Sequence, residues 1–176
     1  MLARSFRLVT ALLLPRSGRR KQVLCLAALI LAGCGGAARQ KGELVRGNGF
    51  SFELPSGWHV VAGGARTSAS HGPELVQVST FALQKPYSDA LFDAVSKELS
   101  TRMHDLARQE GGTASESGTV TAGGVRSHSY RVTAGSYVDE YTFVLRGKRE
   151  YQLLCRRNTS SGESFCNGLI RTFSAA

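Results

Sequence analysis

Tryptophan, methionine, proline and cysteine are all scarce in this 176-residue chain, which holds one, two, four and four of them respectively. Acidic residues are also few, 13 against 22 lysines and arginines, and the first of them is Glu43. The longest unbroken apolar run, Val23 to Ala32, has 10 residues, where a helix needs about 20 to cross a bilayer. That segment is too short for a membrane span and has the length of a signal-peptide core. No two of the four histidines (His59, His71, His104 and His128) have H-x-x-x-H spacing, so the helical metal-ligand pattern is missing. No serine stands in a G-x-S-x-G elbow. The pairs Gly63-Gly64 and Gly123-Gly124 lack the lysine and hydroxyl residue of a phosphate loop and read as turns. Asp139 and Glu140 are adjacent in a strand-like run, so their side chains point to opposite faces and cannot act as a carboxylate pair. No catalytic residue, cofactor or metal site is expected from these patterns.

What is present is an address. A basic stretch (Arg16, Arg19, Arg20, Lys21) precedes the apolar run, which leads into Leu31-Ala32-Gly33-Cys34. This string resembles a bacterial lipoprotein signal. The resemblance implies a signal peptide over residues 1–33, a diacylglycerol thioether on Cys34, and cleavage just before it. An ordinary secretory signal is the alternative. The implied location is the extracytoplasmic side of a membrane: the outer face of the cell membrane, or an outer membrane, which Gly35 in place of an aspartate would permit. The remaining 143 residues, 34–176, are one domain's worth of chain. They carry 16 basic and 13 acidic residues, so the net charge falls from +9 to +3. The basicity thus belongs largely to the signal, and nucleic acid is not an expected partner.

Cysteine counting follows from the same address. Cys25 departs with the signal and Cys34 takes the lipid, leaving Cys155 and Cys166 where disulfides persist. A bridge between them is expected, with two separately buried thiols as the alternative.

Residues 34–48 are small and polar without periodicity and read as a flexible tether, with the globular domain over 49–176. Phe50, Phe52 and Leu54 alternate with Ser51 and Glu53, the mark of a half-buried strand. A turn at Pro55-Ser56-Gly57 leads to a second strand from Trp58, and Glu74–Leu83 makes a third. Gly63 to Gly72 reads as a loop. Ser88 is the expected N-cap of a long helix with Leu91, Val95, Leu99, Met103 and Leu106 in one apolar stripe, ended by Gly111-Gly112. Four strands then alternate with glycine-containing gaps. Ser160 and Glu163 have capping-box spacing ahead of a short helix with Phe165, Leu169, Ile170 and Phe173. The expected class is α+β: an antiparallel sheet of about six or seven strands with one long and one short C-terminal helix.

The run Gly49-Phe50-Ser51-Phe52-Glu53-Leu54-Pro55-Ser56-Gly57-Trp58 resembles the opening of PsbP-like and DcrB-like domains. That resemblance implies an α/β/α sandwich and offers no catalytic residues to carry over. The expected function is a non-catalytic, lipid-anchored binding or accessory protein of the cell envelope. Its partners would be the membrane, through the anchor, and an envelope protein or small ligand. The alternative is a hydrolase-type enzyme with a site built from scattered polar residues. The Gly63–Gly72 loop is the expected contact surface, and Trp58 is expected to pack against the sheet. Arg146, Lys148, Arg149, Arg156 and Arg157 read as a solvated basic hairpin, or as a contact to anionic headgroups. His59 and His128 are expected on polar strand faces.

Overall fold

The computed structural model describes residues 42–176. In chain order these form β1 (Glu43–Gly47), β2 (Phe50–Leu54), β3 (His59–Gly63), β4 (Arg66–His71) and β5 (Glu74–Ala82). A 3-10 turn (Asp89–Leu91) and α1 (Phe92–Gln109) follow, then β6 (Thr113–Ala122), β7 (Val125–Ala134), β8 (Tyr137–Arg146) and β9 (Arg149–Asn158). The chain closes with α2 (Ser164–Thr172) and β10 (Ser174–Ala175). Among the described residues no helix is long and apolar enough to cross a membrane.

The main sheet has seven strands in the order β3-β4-β5-β9-β8-β7-β6, and β1-β2-β10 form a second, smaller sheet. Every pairing is antiparallel. Directly paired residues share a face, so the registers define rows across the main sheet. Val60, Ala69, Val76, Cys155, Glu140 and Arg131 form one row, and Val61, Ser68, Gln77, Leu154, Tyr141 and Tyr130 form a row on the opposite face. The first face carries Val76, Val78, Val144, Tyr151 and Leu153, closed over by Phe50, Phe52 and Leu54 of β2 and by Phe165 and Leu169 of α2. The second carries Tyr130, Val132, Tyr141 and Phe143 beneath Leu99, Met103 and Ala107 of α1. The alternation in β2 and the stripe in α1 each present one apolar side, and the main sheet is what both sides bury against. The α+β class and the antiparallel sheet with a long and a short helix are therefore as expected.

Several local expectations are corrected. The tether does not run to residue 48, because β1 pairs along its length with β2, from Glu43 opposite Leu54 to Gly47 opposite Phe50. Only Val45 of β1 is buried, so the strand shows no alternation to read; residues 34–41 lie outside the described residues. Gly63–Gly72 is not a loop. It is the end of β3, a tight turn at Gly64-Ala65, and β4, whose Thr67 and Ala69 point inward. Its small and polar side chains hid the period of two. Ser88 makes no side-chain cap; its carbonyl accepts the Leu91 N–H at 2.9 Å, and Leu91 in the 3-10 turn stays exposed. At the far end Gly111 takes a φ of 67°, which lets the Gly112 N–H close back onto the Ala107 carbonyl at 2.8 Å. The Ser160–Glu163 capping box does not form either. Glu163 precedes α2 without capping it, because its carboxylate is taken by two arginines.

Cys155 and Cys166 are bonded, with their Cα atoms 5.6 Å apart. The bridge ties the first turn of α2 to β9. Two other contacts hold the same helix: Leu169 is buried in the core, and the Glu53 N–H donates to Thr172 Oγ1 at 2.9 Å. Reduction, or Cys155→Ala, is thus expected to lower stability by about 3 kcal/mol while leaving the far-UV spectrum near native. Thermal unfolding with and without reductant checks this; an unchanged midpoint would refute it.

Candidate interaction surface

Cys34 lies outside the described residues. Trp58 is 8% exposed and sits 5.2 Å from the Phe165 ring and 5.9 Å from His71, so it packs as expected. His59 is exposed at the start of β3, His71 lies 3.8 Å from Glu74, and His104 Nδ1 bonds the Ser100 carbonyl at 2.8 Å. His128 corrects the sequence reading. It is buried, Nε2 donates to the Phe92 carbonyl at 3.0 Å, and its ring stacks on Phe92 at 3.8 Å. Its position in β7 turns it under the start of α1, where the apolar neighbours on the row belong to the helix side. Among the described residues no three His, Cys, Asp or Glu side chains come together as a metal site. An open groove of about 560 Å³ between α1 and β6 includes His104, Asp105, Arg108 and Gly112. Its His104 Nδ1 is engaged by backbone, and Asp105 by Arg108.

The adjacent acids do point to opposite faces. Asp139 receives a bidentate pair of bonds from Arg156, at 2.7 and 2.6 Å. That hydrogen bonding holds the guanidinium of Arg156 even more firmly protonated than usual. Tyr141 nearby is pushed up to about 12, by burial first and then by the charges of Asp139 and Glu110. Glu140 enters a closed ring on the other face: it lies 3.2 Å from Arg131 and 3.3 Å from Arg157, and Glu163 lies 2.8 and 3.0 Å from the same two arginines. Arg157 Nη1 also donates to the Ser161 carbonyl at 3.1 Å. The expected basic cluster therefore divides. Arg156 and Arg157 are structural, while Arg146, Lys148 and Arg149 stay exposed around the β8–β9 turn.

What the sequence did not single out is a half-covered sheet. Along the row Val61-Ser68-Gln77-Leu154-Tyr141-Tyr130, the last three side chains belong to the core beneath α1. No described element lies over the first three. Val61 is 56% exposed, and Phe81, further along β5 on the same face, is 47% exposed. Gln77 and Ser79 bond each other there at 3.3 Å. The result is a shallow polar floor on β3, β4 and β5 with two apolar side chains standing from it. α1 is too narrow to cover seven strands: a helix with its side chains is about 10 Å wide and strands lie about 4.8 Å apart, so one helix covers two or three. Only the strand order reveals which strands are left bare.

The same arrangement of layers occurs in the solution structure of cyanobacterial PsbP (CyanoP) from Synechocystis sp. PCC 6803, with a TM-score of 0.57 and 14% identity over 83% of this chain and 99% of that one. The fold is PsbP-like. A crystal structure of a protein from Bacteroides thetaiotaomicron VPI-5482 is also similar, with a TM-score of 0.52 and 14% identity over 73% of this chain. The chain spans 45% of the length of that Bacteroides protein. No family model and no curated protein matches the chain by sequence. Within this PsbP-like frame, the bare strands are the edge strand β3 and its two neighbours.

Proposed function

We propose that the chain is a lipid-anchored accessory protein of the cell envelope, held to the membrane through Cys34, that binds a partner protein on the open face of β3, β4 and β5. The observation carrying this reading is that no described element covers β3, β4 and β5 on one sheet face, where Val61 and Phe81 stand exposed. A sheet flanked by a helix is a rigid platform, and isolated apolar side chains on a polar floor are the usual anchors of a protein interface. Asp139, Glu140 and Glu163 are bound to Arg156 and Arg157 in structural pairs. The PsbP-like fold is compatible with an accessory role.

Two variants separate the anchor from the surface. Cys34→Ser is expected to move the protein from the membrane fraction to the soluble fraction, because stable attachment needs the acyl chains. Intact mass showing an unlipidated wild-type chain would overturn the anchor. Val61→Glu with Phe81→Ser is expected to keep the fold and its melting temperature, since both side chains are exposed. The same pair is expected to weaken partner binding by roughly 10-fold or more. Unchanged binding of an identified partner would overturn the surface.

A further inference from the structure

The strands run between two ends of very different charge. One end holds the first residue of β3 and the last of β9; along it Leu75, Arg156, Asp139, Val132 and Ala114 lie in one row. The arginines near this end are matched. Arg108 pairs with Asp105, Arg156 with Asp139, and Arg131 and Arg157 with Glu140 and Glu163. Glu43 and Glu110 add exposed negative charge.

The other end carries the turns at Gly64-Ala65, Gly123-Gly124 and Gly147-Lys148. Arg66, Lys85, Arg126, Arg146, Lys148 and Arg149 are all exposed around it, against the exposed acids Asp89 and Asp93 and a Glu150 paired with Arg102 at 3.5 Å, so this end keeps an excess of positive charge. Not one of these six lies within 4.0 Å of an acidic group among the described residues. Three backbone bonds gather them. The Leu83 N–H donates to the Lys148 carbonyl at 2.9 Å and the Tyr87 N–H to the Gly147 carbonyl at 2.7 Å, which lays the segment bearing Lys85 along the β8–β9 turn. The Thr80 N–H donates to the Ala65 carbonyl at 2.8 Å, bringing the turn before Arg66 beside β5. Phe81 and Leu91, 47% and 46% exposed, lie at this same end.

The path of the N-terminus decides where this end can point. β1 begins at Glu43 opposite Leu54, and Leu54 leads through Pro55-Ser56-Gly57 to the start of β3. The chain thus joins the domain at the acidic end. Eight residues separate Cys34 from Glu43, and fully extended they reach about 30 Å. A ten-residue strand such as β8 is itself about 30 Å long. With Cys34 in the bilayer, the basic end reaches the headgroups only if the linker is pulled straight, at the cost of its conformational entropy.

We infer that the basic end is a docking surface for an acidic face of a partner protein. This rests on the lipid-anchored reading above and extends its open face at the corner where Phe81 meets Arg66. Arg126 lies 3.7 Å over the Phe92 ring and Arg146 donates to the Ala175 carbonyl at 2.8 Å, which orients both; with no acid within ion-pair distance, the six cations keep their charge for attraction and orientation of a partner. Exposed Phe81 and Leu91 beside arginines give the mixed apolar and cationic make-up of protein interfaces rather than that of a purely electrostatic lipid contact.

Photoreactive side chains placed separately at positions 148 and 136 of the full lipidated chain, in intact envelopes, test it. Position 136, in the β7–β8 turn at the acidic end, is expected to crosslink lipid, and position 148 to crosslink protein at an acid-rich peptide. Arg66→Gln, Lys85→Gln and Arg149→Gln together are expected to cut the yield at 148 about tenfold and to weaken binding of the purified protein to poly-L-glutamate by a similar factor. The three positions are exposed, so circular dichroism should be unchanged. Crosslinking of 148 to lipid, or a yield and poly-L-glutamate affinity unaffected by the three substitutions, would overturn the inference. Intact mass keeps the two readings apart. An unlipidated chain indicts the anchor, whereas a lipidated chain without the 148 crosslink to protein indicts the docking surface.

Discussion

Arg157→Ala is expected to lower the stability of the domain by about 3 kcal/mol, the low end of the cost of removing one partner from a buried ion pair. Arg157 is 8% and Glu140 11% exposed at the side chain, so the carboxylate left behind is poorly solvated. Arg131 remains 3.2 Å from it, which keeps the loss from being larger. The substitution also removes the bond to the Ser161 carbonyl and the packing of the arginine stem. At about 4 °C per kcal/mol for a domain of this size, the melting temperature should fall by about 12 °C. Glu140→Ala should cost a similar amount. The double variant should cost clearly less than the sum, because neither charge is then stranded. Thermal melts of the two singles and the double check the prediction, and strict additivity would show that the ring does not act as a unit.

The second large effect is in the small sheet. Phe52 is 0% exposed, stacks on Phe50 at a centroid distance of 6.2 Å, and lies in the core that β2 shares with α2 and the main sheet. Phe52→Ala should cost about 3–5 kcal/mol, the lost transfer of the ring plus the cavity it leaves. That cost should exceed that of reducing the Cys155–Cys166 bridge. It should also raise hydrogen exchange first in β1, β2 and β10, because these strands form a separate sheet outside the seven-stranded ladder and rest on this core. Unfolding in denaturant and amide exchange by mass spectrometry would measure both. Uniform loss of protection across the main sheet would contradict the local part of the prediction.

Local chemistry makes much of the fold legible in the sequence. The α1 stripe and the terminating Gly111-Gly112 could be read because a helix repeats within one turn or two. The Phe50-Phe52-Leu54 alternation could be read because β2 buries every second residue. β1 and the Gly63–Gly72 hairpin escaped for the opposite reason. A strand with a single buried valine, or one made of Ser, Thr and Ala, carries too little apolar contrast to show a period. The capping expectations at Ser88 and Glu163 failed because a competing partner existed elsewhere: a 3-10 turn in one case and two arginines in the other.

By itself the sequence determined the order of most elements and the α+β class, which follow from short-range patterning, and made Cys155 with Cys166 the expected pair that the structure then joined. Tertiary structure alone decided the rest. Strand register brought Arg131, Glu140 and Arg157 into one ring with Glu163, although the ring spans 32 positions of the chain. Strand order left β3, β4 and β5 without a covering element on one face among the described residues. Antiparallel pairing gathered six exposed cations at one end of the sheet and the Arg131, Arg156 and Arg157 ion pairs at the other. Each of these depends on which distant residues become neighbours, and the only carrier of that information is the packing of the whole core.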